Sequence, residues 1–154
     1  MAAGIKVRLL GDGPLRAELE EAWPEATFLG WLPRAQVQIE MQHARALLFP
    51  SLWYETAGLV AIEAAATGLP VIVADTCAAT SYVQPEKTGA WFKGGSVDEL
   101  TAALRRCHDD TLVEQWSVAA YEWYWSAPWT IARHVDDLIE VYASLPPPAH
   151  NRSF

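Results

Sequence analysis

Apolar residues along this chain fall into two kinds of run. Short, nearly continuous apolar stretches occupy residues 5–10, 26–29, 46–49 and 71–74. Between them lie longer stretches in which apolar residues recur every three or four positions. The short runs suit strands buried on both faces of a parallel sheet, and the longer ones suit helices that cover it. Helices are expected over residues 15–22, over 36–44 with Pro33 near the start, and from Gly58 onward. Ser96-Val97-Asp98-Glu99 has the form of a capping box and opens a helix to about His108. Residues 111–123 and 130–145 read as two more helices, and Pro146-Pro147-Pro148 then ends ordered structure. The alternation predicts one α/β domain over residues 1–145, a parallel sheet flanked by helices, with a disordered tail over 146–154. No internal repeat or low-complexity linker interrupts it.

The chemistry concentrates after the third predicted strand. Glu55 and Glu63 bracket Gly58, which leads into a helical run and then the strand at 71–74. A helix starting at Gly58 leaves its first amides (Gly58, Leu59, Val60) without intrahelical acceptors at the positive end of the dipole. Such an end attracts phosphate without a basic side chain. Gly58 has no Cβ, which lets backbone approach a ligand closely. Each carboxylate can accept from two neighbouring hydroxyls, as a ribose or hexose diol offers. Two solvated surface charges are the plainer reading of such a pair. Glu63, however, sits in Leu59-Val60-Ala61-Ile62-Glu63-Ala64-Ala65-Ala66, and an acid in so small and apolar a helix usually has a task or a partner. A ligand with hydroxyls at both ends and anionic charge between them, such as a nucleotide sugar, matches this layout.

These residues resemble the nucleotide-sugar signature of the retaining GT-B glycosyltransferases with an E-x7-E motif (glycosyl transferases group 1). That group includes bacterial mannosyl- and glucosyltransferases and sucrose-phosphate synthase. The resemblance rests on Pro50-Ser51, Glu55, Gly58-Leu59-Val60, Glu63-Ala64 and Gly68-Leu69-Pro70-Val71 in order. Leu9-Leu10-Gly11-Asp12-Gly13-Pro14-Leu15 is similar to the family's strand-to-helix glycine turn, and Phe28-Leu29-Gly30-Trp31-Leu32 to the strand that ends beside the base. Thr88-Gly89 and the helix at 97–104 are similar to its later segments, so the likeness runs from about Lys6 to Leu145. The resemblance implies a Rossmann-like half of a GT-B enzyme. Glu55 would be the catalytic residue and meet donor-sugar hydroxyls, with Glu63 on the ribose and Ser51 beside them. Amides of Ala57, Gly58, Leu59 and Val60 would hold the diphosphate, Gly11 and Gly13 would line the opposite wall, and backbone at Leu32 would read the base edge. No cofactor or metal is implied; the nucleotide sugar is a substrate.

Departures from the family pattern are equally specific. Ala57 stands where an aromatic is usual, which leaves the sugar subsite roomier or differently filled. Ala78-Ala79-Thr80-Ser81-Tyr82 stands where Gly-Gly-x-x-Glu is usual, which removes that acid's contact. Pro33 and Arg34 follow the base-reading strand where some relatives carry an acid, so guanine recognition is not supported. The first βα unit, with the family's Arg and Lys phosphate clamp, has no counterpart here, nor has the N-terminal domain that carries the acceptor site. The expected molecule is therefore a donor-binding part, inactive alone, whose partners are a nucleoside diphosphate sugar and an N-terminal domain. In a 3-2-1-4-5-6 sheet the absent strand is central. Its place would be closed by direct pairing of the flanking strands, by an inserted segment, or by exchange in a homodimer.

Composition narrows the alternatives. Of 154 residues 51% are apolar and 19% charged, and no run approaches the length of a membrane span. No secretory signal is legible in the first residues, which suggests a cytoplasmic protein, peripheral to the inner membrane face in a full-length enzyme. The net charge of −8 argues against nucleic acid as a partner. Cys77 and Cys107 lie far apart and read as reduced thiols, and His43, His108, His134 and His150 lack ligand spacing. A dinucleotide-binding oxidoreductase is disfavoured, because Gly11-Asp12-Gly13-Pro14-Leu15-Arg16 lacks the third glycine of G-x-G-x-x-G. A non-catalytic module that keeps the fold is the remaining alternative. Trp116, Trp123, Trp125 and Trp129 form either a core patch or an interface for another domain, and Trp53 and Tyr54 lie at the expected pocket mouth.

Overall fold

A computed structural model describes residues 4–53 and 56–146. Among these residues every strand pairing is parallel. The elements run β1 (Arg8–Leu10), α1 (Arg16–Ala22), β2 (Thr27–Gly30), α2 (Arg34–Gln42), β3 (Leu47–Phe49), α3 (Leu59–Ala66), β4 (Val71–Ala74), a 3-10 turn (Ala78–Tyr82), β5 (Gly89–Phe92), α4 (Val97–Arg106), α5 (Asp110–Ser126) and α6 (Ile131–Ser144). The α/β class read from the apolar pattern is the observed one.

β4 shows why. Val71, Ile72, Val73 and Ala74 are all buried, so both faces of the strand need cover. Val71 and Val73 join Met41, Ala61, Ala64 and Ala79 in one cluster, beneath α2, α3 and the 3-10 turn. Ile72 and Ala74 join Ala90, Phe92, Ala103, Cys107 and Trp116 in a second, beneath α4 and α5. β5 escaped the apolar pattern because it is only Gly-Ala-Trp-Phe. Its ladder also needs that glycine, since a Cβ on Gly89 would sit 2.1 Å from the Val71 carbonyl oxygen. β1 is shorter than expected, although the Val7 carbonyl just before it accepts from the Thr27 amide at 3.0 Å.

The strands form two sheets, β1-β2 and β3-β4-β5. Direct pairing of β1 with β3, one of the expected closures, is therefore not used. Arg8 and Leu10 of β1 remain exposed.

Helix ends mostly obey their sequence signals. Asp109 and Thr130 cap α5 and α6 through their side chains. Ser96 Oγ accepts from the Glu99 amide at 3.2 Å, as a capping box requires. The reciprocal arm differs: Glu99 Oε2 accepts from the Lys93 amide at 2.8 Å, while the Ser96 amide donates to the Lys93 carbonyl. The helix start is thereby tied to the end of β5.

The tryptophans divide. Trp116 is buried in the second cluster, with the Arg106 guanidinium 4.8 Å from its ring centroid. Trp125 is exposed yet donates Nε1–H to the Ala66 carbonyl at 3.1 Å, and Trp129 meets Tyr82 edge-on. α6 has no buried residue. Cys77 and Cys107 are buried free thiols, as expected, and burial pushes the Cys107 thiol up. No described helix is long and apolar enough to cross a membrane.

Candidate nucleotide-binding site

The carboxyl ends of β3, β4 and β5 are braced to one another by their loops. Thr76 Oγ1, after β4, donates to the Ser51 carbonyl at 3.2 Å, after β3. The Gly94 amide, after β5, donates to Asp75 Oδ1 at 2.8 Å. Ser51 Oγ in turn donates to the Trp53 carbonyl at 3.4 Å. Ligands of open parallel sheets bind at this edge.

From the braced loop the chain enters α3 through Gly58, which adopts φ +59°. The helix has no side-chain cap, so the positive end of its dipole faces outward at Leu59 and Val60. The reason for the glycine differs from the one its sequence position suggests. A Cβ there would lie 2.7 Å from Ala79 Cβ, so the vacant volume is filled by the 3-10 turn and not kept for a ligand. The segment that departs from the family's Gly-Gly-x-x-Glu thus supplies a packing wall for the helix start. Ala57, just before, is half-buried.

Glu63 lies on the second turn of α3. The acid that looked out of place among alanines has a partner: Arg34 Nη2 sits 3.1 Å from its Oε1. Arg34 is the first residue of α2, at the carboxyl end of β2. Nothing local in the sequence pairs these two residues, because their contact depends on how α2 and α3 pack.

The other expected site residues lie at the ends of β1 and β2. The Gly11 amide donates to the Gly30 carbonyl at 2.8 Å, and the Gly13 amide to Asp12 Oδ1 at 2.8 Å. Arg16 bonds Glu20 at 2.8 Å and reaches Asp12 at 3.5 Å; chiefly through Glu20, its pKa is raised. Leu32 is half-buried between Trp31, which is 85% exposed, and Pro33. The structure thus places Gly58, Leu59, Val60 and Glu63 on the first turns of one helix, while Gly11, Gly13 and Leu32 lie after β1 and β2, in the other sheet. Glu55 and Tyr54 lie outside the described residues. Among those residues, no group of three or more His, Cys, Asp or Glu is placed to hold a metal ion. A hollow of about 230 Å³ lined by Met41, Arg45, Thr67, Pro70, Val113 and Ser117 lies at the far end of α3.

Parallel strands with helices on both faces define a Rossmann-like α/β domain. Residues 3–123 match the family described as glycosyl transferases group 1. The chain belongs to that family. It is 35% identical over 111 residues to a 2-deoxystreptamine glucosyltransferase of Streptomyces kanamyceticus, covering 66% of this chain and 28% of that protein. It is 31% identical over 105 residues to sulfoquinovosyl transferase SQD2 of Arabidopsis thaliana, covering 65% and 20%. The chain therefore spans under a third of the length of either relative. Among solved structures, HepE of Anabaena in complex with UDP superposes with a TM-score of 0.77 at 22% identity, over 92% of this chain and 41% of that one. Sucrose-phosphate synthase of Thermosynechococcus elongatus gives 0.75 at 25% identity, over 91% and 39%. The fold is one half of the GT-B architecture.

Proposed function

We propose that this chain is the donor-binding part of a retaining glycosyltransferase that moves a sugar from a nucleoside diphosphate sugar to an acceptor. The observation that carries the reading is the start of α3. A glycine-capped terminus without a side-chain cap and the Glu63 carboxylate stand together at the carboxyl edge of the sheet. HepE, which shares the fold, has been crystallised with UDP and with UDP-glucose. In this reading the amides at Ala57, Gly58, Leu59 and Val60 take the diphosphate without a metal ion. Glu63 takes the ribose hydroxyls, and Glu55 meets the transferred sugar and serves as the catalytic residue. Gly11, Gly13, Leu32 and Ser51 shape the walls around nucleotide and sugar.

Acceptor binding and the opposite half of the cleft belong, in this proposal, to an N-terminal domain. Transfer requires both substrates held in reactive geometry, and positioning supplies much of the rate. The purified chain should therefore transfer no sugar, although slow donor hydrolysis is compatible with the proposal. Robust transfer to an added acceptor by these 154 residues would overturn that division.

Calorimetry with UDP and UDP-glucose tests the site. Glu63→Gln should weaken both ligands, since both contain ribose, whereas Glu55→Gln should weaken only the conjugate. A hydrogen bond to a charged acceptor contributes about 1.5–3 kcal/mol, so each loss should be roughly tenfold or more. Equal losses on both ligands for both variants would refute the assigned roles. A non-catalytic module is the second reading, favoured by the 3-10 turn at Ala78–Tyr82 standing where the family's acid is usual. Donor binding without turnover in a chain supplied with its N-terminal domain would decide for it.

A further inference from the structure

We propose that Arg34 is a positioning residue for the nucleotide, holding the Glu63 carboxylate in the orientation that accepts the ribose diol. This inference rests on the reading of Glu63 as the ribose contact.

Among the described residues, Arg34 is the ion-pair partner of Glu63. Its helix neighbours Ala64 and Ala65 are buried small residues that offer no wall to a long side chain. A glutamate with three free torsions visits many rotamers, and restraining it before the ligand arrives removes part of the ordering cost of binding. Arg34 supplies the restraint from a fixed base. Pro33 caps α2 with an extended backbone, and its carbonyl accepts from the Gln36 and Val37 amides at 2.8 and 3.1 Å. One turn on, Val37 and then Met41 pack into the same cluster as Ala61 and Ala64 of α3. α2 and α3 therefore share one apolar cluster, which sets where Arg34 stands relative to Glu63.

The contact geometry leaves room for a ligand. Arg34 Nη2 stands 3.1 Å from Oε1, and a carboxylate carries lone pairs on both oxygens, so Glu63 keeps acceptor capacity for hydroxyls. The pair itself is no stability device. The side chains are 77% and 37% exposed, and exposed ion pairs add little to folding. Its consequence lies in where Glu63 points.

Calorimetric titration of UDP and 2′,3′-dideoxy-UDP into the chain and its Arg34→Ala, Arg34→Lys, Glu63→Gln and double variants tests this. Arg34→Ala should weaken UDP by about fivefold, a step equivalent to one exposed charge contact. It should leave the dideoxy nucleotide, which has no hydroxyls for Glu63, unchanged. In the Glu63→Gln background the same substitution should add less than about twofold, and Arg34→Lys should restore part of the loss. Equal weakening of both nucleotides by Arg34→Ala, or losses that multiply in the double variant, would overturn the proposal by showing a direct phosphate contact or a general packing effect. Full UDP affinity in Arg34→Ala alongside weakened UDP in Glu63→Gln would overturn this inference alone. Full affinity in Glu63→Gln would overturn the ribose assignment and this inference with it.

Discussion

At the scale of single residues, Gly58 meets two demands at once. Its φ of +59° is a conformation that side chains other than glycine seldom adopt, and Ala79 Cβ occupies the space a Cβ would need. Gly58→Ala should therefore destabilise the chain by about 2 kcal/mol or more, read from urea or thermal denaturation. A change within about 0.5 kcal/mol would show that the 3-10 turn yields to the new methyl group. That this position is special was legible in the sequence, because a glycine between a punctuated strand and an apolar helix marks a start. Its packing reason was not legible, since the contact with Ala79 bridges segments separated by a helix and a strand. Arg34 escaped notice on the same ground. Glu63 was flagged as needing a partner by its alanine surroundings, but the partner comes from another helix.

At the scale of elements, local signals were read best where they are strongest. β4 runs from Val71 to Ala74 as expected, because four apolar residues between Pro70 and Asp75 leave little choice. β5 carries a glycine and an alanine in four positions, so its strand character comes from pairing with β4 and not from its own side chains. The cap of α4 shows the limit of a motif. Ser96 caps as the motif requires, but Glu99 bonds Lys93, three residues before the cap, and so pins the helix to the end of β5. Ser96→Ala should cost about 1 kcal/mol of stability, as N-cap replacements do. Glu99→Gln keeps an acceptor for the Lys93 amide and should cost less than Ser96→Ala in the same denaturation measurement. A larger cost for Glu99→Gln would mean that the carboxylate charge, near the α4 dipole, outweighs the cap.

At the scale of the molecule, two features bear on assembly. One is the division of the sheet, where β1 and β3 present edges that do not pair with each other. The other is α6. Ile131, Val135, Leu138, Ile139 and Tyr142 recur at helical spacing along one side, and every one is exposed, Ile131 by 85%. A helix with an apolar stripe is stabilised mainly by burying that stripe, and its opposite side carries Arg133, Asp136, Asp137 and Glu140 in water. An uncovered stripe of this length associates with whatever apolar surface is present, and in a pure sample the available surface is another copy. The chain should therefore run as a dimer or larger species in light scattering at tens of micromolar. Replacing Leu138 and Ile139 with glutamate should shift it to monomer without loss of the sheet core, because neither side chain contributes to the buried clusters. A wild-type chain that stays monomeric at high concentration, or a double variant that associates equally well, would remove α6 as a cause of association.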